Sequence, residues 1–261
     1  PEHSDRLAAT SGLATTSGGT MRIFWLGFDV MGRDPKTPFK DVKVRRAIAH
    51  AIDRQKMADE LVGAGSAVVH VMCYPTQVGC PDQASVAQYD FNPDKARKLL
   101  AEAGYGDGFS SSVWTYAQGL NRVFLESIQG FLRDVNIKLE LQVTPSFTVF
   151  AEAVGAGKTP MVMESHGQYN INDVEILQPF AFNGGSRDNV KDAQVMDWIK
   201  EARATVTTKR EDLYKKVVRR ISDQVFWLPL FSTSIIFAHS ADLDYTAWGD
   251  ENPRFYMDKW K

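Results

Sequence analysis

Asn92-Pro-Asp-Lys-Ala-Arg-Lys-Leu-Leu-Ala-Glu-Ala-Gly104 opens the stretch that decides the fold. Asn92 is placed to cap a helix, Pro93 takes its first position, Asp94 sits in the first turn and Gly104 ends it. Ala96, Leu99, Leu100 and Ala103 recur at helical spacing and give 93–103 a buried face. Residues 112–117 then read as a strand, and 120–135 as a helix through Val123, Phe124, Ile128, Phe131, Leu132 and Val135. Ile137, Leu139, Leu141 and Val143 alternate with polar residues, the period of a strand. Helix 147–154 and a short strand, 161–164, follow. Strands alternating with helices predict an α/β lobe with a mixed, mostly parallel sheet flanked by helices.

Residues 1–20 are small and polar and read as a connector, ended by Ser17-Gly18-Gly19. Residues 21–29 are a strand by their Ile23, Phe24 and Trp25. Asp41 and Asp53 are placed to cap two helices, the first striped by Ala47, Ile48, Ala51 and Ile52, the second closed by Gly63. Beyond 164 come helices at about 191–206 and 209–225, two apolar runs at 227–231 and 235–238, and a polar tail with scattered aromatics.

The chain has 261 residues, 44% hydrophobic and 24% charged, with net charge −2. No basic excess exists to neutralise phosphates, which argues against nucleic acid as a partner. No apolar run approaches the ~18 residues of a membrane span. Gly155-Ala-Gly-Lys158-Thr159 resembles the end of a phosphate-binding loop, but its first glycine would fall at Glu152 and Pro160 follows. Gly63-Ala-Gly65 follows a helix, not the strand a dinucleotide loop needs. The five histidines form no metal spacing, and no Gly-x-Ser-x-Gly elbow occurs. No cofactor or metal is expected. A small α/β hydrolase or transferase would need a reactive Ser, Cys or His with a positioned partner, and the sequence marks none. Cys73 and Cys80 close a segment of about 8 residues whose bridge would be worth ~2.5 kcal/mol. Spacing alone leaves a bridge and two packed thiols equally open, while His70 is too solitary a neighbour for zinc.

Ligands of open α/β sheets bind beyond the carboxyl ends of the strands. Strand 161–164 runs into Ser165-His166-Gly167-Gln168-Tyr169-Asn170, an abrupt polar burst. Strand 112–117 leads out through Trp114, Tyr116 and Gln118. Ser165, His166, Gln168 and Tyr169, with Trp114, Tyr116 and Gln118 beside them, are the candidate ligand-binding residues; the alternatives are a capped helix start at 166–173 and a core Trp114. His166 at an ordinary pKa near ~6.5 would make capture of an anionic group pH-sensitive.

Two segments carry a family resemblance. Pro38-Phe-Lys-Asp41-Val-Lys-Val-Arg45-Arg-Ala-Ile-Ala-His-Ala-Ile-Asp53-Arg54 and Tyr89-Asp-Phe-Asn-Pro93-Asp-Lys-Ala96-Arg-Lys-Leu-Leu100-Ala-Glu-Ala-Gly104-Tyr-Gly-Asp-Gly-Phe109 resemble motifs of the family 5 bacterial extracellular solute-binding proteins, the dipeptide, oligopeptide and nickel type. The resemblance implies a lobe of the type II periplasmic-binding-protein kind and no catalytic activity. It implies a C-terminal half: 1–29 end the first lobe and cross over, 30–226 form the second lobe, and 227–261 return to a missing N-terminal lobe. It implies a periplasmic partner of ABC permease subunits that captures a small solute, with a sensory or chaperone module on the same fold as the rival. An oxidising compartment implies a Cys73–Cys80 disulfide. Peptide binders of the family carry Gly-Trp after the strand and then an Asp for the peptide's amino group. Here Glu164-Ser165 stand at the first place, Gln168 near the second, and Asp173 is displaced. A neutral amide offers an ammonium no charge-assisted bond, so opines, sugars, sugar conjugates and modified amino acids stand beside peptides.

Overall fold

The computed structural model describes residues 2–63, 65–167, 173–176, 182–206 and 208–261. The chain begins with helix α1 (Glu2–Ala8) and strand β1 (Leu13–Phe28). Helices α2 (Val42–Ala51) and α3 (Arg54–Met57) start at Asp41 and Asp53, whose carboxylates accept from the backbone N–H groups of Lys43 and Lys56. A π-helical turn, Ala58–Val62, extends α3 to Gly63, whose φ of 89° stops it. The short strand β2 (Ala67–Val68) precedes α4 (Pro93–Glu102), capped by Asn92. Then come β3 (Phe109–Tyr116), α5 (Asn121–Arg133), β4 (Ile137–Thr144), α6 (Phe147–Gly155) and β5 (Met161–His166). Helices α7 (Ala193–Arg203) and α8 (Thr208–Asp223), strand β6 (Trp227–Ser240) and the pair β7 (Leu243–Asp244) and β8 (Lys259–Trp260) complete the chain.

The six-stranded sheet has the order β2-β6-β1-β5-β3-β4. It is mixed: β4, β3 and β5 run parallel, and β1 joins β5 and β6 antiparallel. Alternation along β1 sends Phe24, Leu26 and Phe28 into a core with α2, α4 and α5, and Ile23 and Trp25 into a second core with α6, α7 and α8.

Two readings of the sequence are corrected. The connector at 1–20 is a helix and the first half of a 16-residue strand. The runs at 227–231 and 235–238 are one strand. Each half explains the other: Leu13 pairs with Ser240, Gly19 with Ser234, Phe24 with Phe231 and Leu26 with Leu228. Ser, Thr and Gly become strand because the partner, over 200 residues away, supplies the ladder. Pro229 is accommodated beside a register shift between Phe24 and Trp25.

Two buried guanidiniums lock the first core. Arg45 donates to the carbonyls of Phe39, Lys40 and Gln224, and Arg54 to those of Val69, Pro229 and Tyr89. Cys73 and Cys80 are joined by a disulfide, with Cα atoms 5.8 Å apart. Gly155 ends α6 and residues 156–160 turn the chain into β5, so the segment is not a phosphate loop.

Candidate functional site

The site grows from pairing on one face of the sheet. Ile23 lies opposite His166, Trp25 opposite Glu164, and Gly27 opposite both Val162 and Trp227. Gly27 is required here: a Cβ would come within 2.6 Å of the Trp25 ring, 3.1 Å of Val162 and 3.3 Å of Trp227. Its absence lets the indoles of Trp25 and Trp227 stack, centroids 4.1 Å apart. Helix α6 adds Phe147 and Val154, and the segment before α7 adds Arg187, Asn189 and Val190. That segment is rigidly placed. Asp188 accepts from the backbone of Gly184, Val190 and Lys191. Arg33, paired with buried Asp29, donates to Asn189, and the Met31 N–H to the Asn189 carbonyl.

These elements enclose a cavity of about 330 Å³ at the carboxyl ends of β3 and β5. Arg22 forms its cationic corner, gripping Glu251 through two bonds of 2.8 and 2.6 Å and donating to Ser165 Oγ at 3.2 Å. Glu251 reaches it from the C-terminal segment, held in the left-handed region at φ 64°. The Arg187 guanidinium lies over the Phe147 ring at 5.3 Å and 3.5 Å from Glu164. Burial pushes the Glu164 carboxyl up to about 7, with the Arg187 charge opposing the rise. Burial first, and the Arg22 charge second, push His166 down to about 4. An imidazole titrating near neutrality is therefore not found, and the pH-sensitive group of the cavity is Glu164.

Of the residues singled out from sequence, Ser165, His166, Tyr116 and Gln118 line the cavity together. Trp114 stands on the same sheet face but packs against the second core, its indole donating to Ser112 Oγ at 3.0 Å. Gln168 and Tyr169 lie outside the described residues. Asp173 pairs with Arg210 on α8, away from the lining. Sequence reasoning did not assign Arg22, Trp25, Trp227, Glu164, Phe147 or Arg187 to the site. Only Glu164 carried a signal, a charge at the end of the apolar run Met161-Val-Met163. No cluster of metal-ligating side chains occurs among the described residues.

A cleft at strand ends, lined by charged, polar and aromatic side chains, has the makings of a small-molecule site. The model of the bacterial extracellular solute-binding proteins, family 5 (middle), matches residues 1–188. The chain belongs to this family. Among curated relatives of this family 5 chain, the glutathione-binding protein GsiB of Escherichia coli (strain K12) is 27% identical over 221 residues, 79% of this chain and 42% of its own length. The chain thus spans less than half of the curated relatives it matches. Among solved structures, the periplasmic binding protein DppA from Helicobacter pylori in complex with peptide STSA superposes with a TM-score of 0.82 at 20% identity, covering 99% of this chain and 51% of that one. AgaA from A. tumefaciens R10, in complex with agropinic acid, gives 0.77 at 20% identity, covering 96% and 52%. These likenesses are of fold. No helix among the described residues is long and apolar enough to cross a membrane.

Proposed function

We propose that the chain is the second lobe of the substrate-binding component of an ABC importer, a periplasmic protein that holds a small solute between two lobes and delivers it to permease subunits. The cavity carries the reading: about 330 Å³, lined by charged, polar and aromatic side chains together, at the ends of parallel strands. In this reading 30–226 form the lobe around the inner halves of β1 and β6, 1–29 and 227–261 carry the outward and return crossings, and the N-terminal lobe closes the open side. The long β1–β6 ribbon supports the crossings, since its outer half is only partly buried. So does the apolar surface left bare near the C-terminus, where Phe255, Tyr256 and Trp260 are 74%, 83% and 75% exposed.

The donor set suits a small solute with both a planar or apolar part and polar groups. Trp25 Nε1 is buried with no hydrogen-bond partner among the described residues, and Ser165, Gln118 and Asn189 add neutral groups. Peptides, including glutathione-like ones, opines and sugar conjugates all meet that description. The test is calorimetry on the protein carrying both lobes, against glutathione, Met-Leu, agropinic acid and sugars. Binding by one class, with residues 1–261 alone binding weakly or not at all, is expected because affinity comes from desolvation between lobes. Failure of every class overturns the reading, and micromolar binding by residues 1–261 alone overturns the two-lobed enclosure.

A further inference from the structure

The arginines around the cavity and the cores differ in how they are held. Arg22, Arg33, Arg45 and Arg54 each spend their guanidinium on several carboxylate, amide or carbonyl oxygens. Arg187 does not. Its Nε is buried without a hydrogen-bond partner among the described residues, and its one ion-pair contact, to Glu164, is 3.5 Å long. What holds it is a ring face, Phe147 at 5.3 Å, on a loop fixed by Asp188. A guanidinium placed by stacking keeps its planar fork of N–H donors open to an incoming acceptor. Glu164 is the complementary case: its side chain is 13% exposed and accepts no hydrogen bond among the described residues. It faces Trp25 across the strand pair, with Val162 and His166 beside it on its own strand.

We propose, building on the solute-binding reading above, that Arg187 receives a carboxylate of the solute, and that Glu164 keeps this place in the ligand-free protein and takes up a proton when the solute displaces it. The exchange balances. The solute carboxylate pairs with Arg187, the Glu164 contact breaks, and one proton passes from solvent to the Glu164 carboxylate. The net charge of the cavity is the same before and after.

The other groups around Glu164 do not replace its partner. From β1, Arg22 is engaged by Glu251; from β5, His166 is neutral, its pKa pushed down to about 4. Asp188 spends its carboxylate on backbone N–H groups, and Asn189, Tyr116 and Gln118 carry no charge. Phe147, Val154 and Trp227 close the rest. The Glu164 carboxyl already stands at about 7 with Arg187 beside it, so losing that charge to the solute raises it further.

The experiment uses the two-lobed protein with glutathione, Met-Leu and agropinic acid, each beside its carboxyl ester, by calorimetry in buffers of differing ionisation enthalpy. Near pH ~8, uptake approaching one proton per bound carboxylate probe is expected, vanishing below about pH 6, with affinity falling up to about tenfold per pH unit above 7. Glu164→Gln is expected to abolish the uptake and flatten the profile while binding persists. Arg187→Gln is expected to weaken the carboxylate probe at least about tenfold and its ester little. Arg187→Lys, which keeps the charge and loses the fork, gives a partial loss and serves if the Gln variant does not fold. Binding without proton uptake at pH ~8, an unchanged acid-over-ester preference in the Arg187 variants, or binding of sugars alone overturns this inference and leaves the functional reading standing. Binding by no probe overturns both.

Discussion

Replacing Gly27 by Ala tests whether the paired indoles are built around a missing side chain. The added Cβ would meet the Trp25 ring at 2.6 Å, and that ring is stacked on Trp227 at a centroid distance of 4.1 Å, so relief requires breaking the stack and swinging the indole toward the cavity it lines. Overpacking costs about 1–3 kcal/mol, and a contact this short between rigid groups falls in the upper half of that range. The reduced freedom of the unfolded chain returns about 0.7 kcal/mol. A net loss of about 2 kcal/mol follows, a fall in Tm of roughly 4–8 °C. The assay is thermal and urea unfolding together with near-ultraviolet circular dichroism, which reports the Trp25–Trp227 pair. Gly130→Ala is the control: on α5, with nothing within 4 Å of its added Cβ, it is expected to be neutral or stabilising by up to about 1 kcal/mol. A Gly27→Ala protein within about 0.5 kcal/mol of the parent, with its aromatic spectrum unchanged, would refute the packing argument.

Three further outcomes are expected. Because the folded-state pKa of Glu164 is raised, to about 7, its ionisation opposes folding as pH climbs from about 4.5 through 7. Glu164→Gln should therefore stabilise the protein at pH ~8 by on the order of 2 kcal/mol and have little effect at pH ~4, as read by urea midpoints. Thiol titration of denatured, unreduced protein should find no free cysteine, and reduction of the Cys73–Cys80 bridge should cost ~2.5 kcal/mol. Arg54→Met strips donors from the buried carbonyls of Val69, Pro229 and Tyr89 and should cost at least about 3 kcal/mol, with chemical denaturation as the check.

What the sequence determined by itself is the part of the molecule written in local chemistry. Asn92, Pro93 and Gly104 delimit a helix within a residue of the observed Pro93–Glu102, and the period-two run from Ile137 is strand β4. The same patterns point to the edge where the candidate cavity opens, since a strand that stops at a polar burst marks a sheet's carboxyl edge, and Ser165 and His166 line the cavity there. Tertiary structure alone decided the rest. Leu13–Gly19 is strand because residues 234–240 lie beside it, and no local preference of Ser, Thr or Gly announces a partner that distant. Trp25 and Trp227 are one feature only because antiparallel pairing puts both beside Gly27. Nothing in the sequence around Arg187 announces that it meets Glu164 and Phe147. The altered acidity of Glu164 and His166 comes from burial in a cavity walled by strands, a helix and a loop far apart along the chain, because desolvation and Coulomb interactions depend on distance in space.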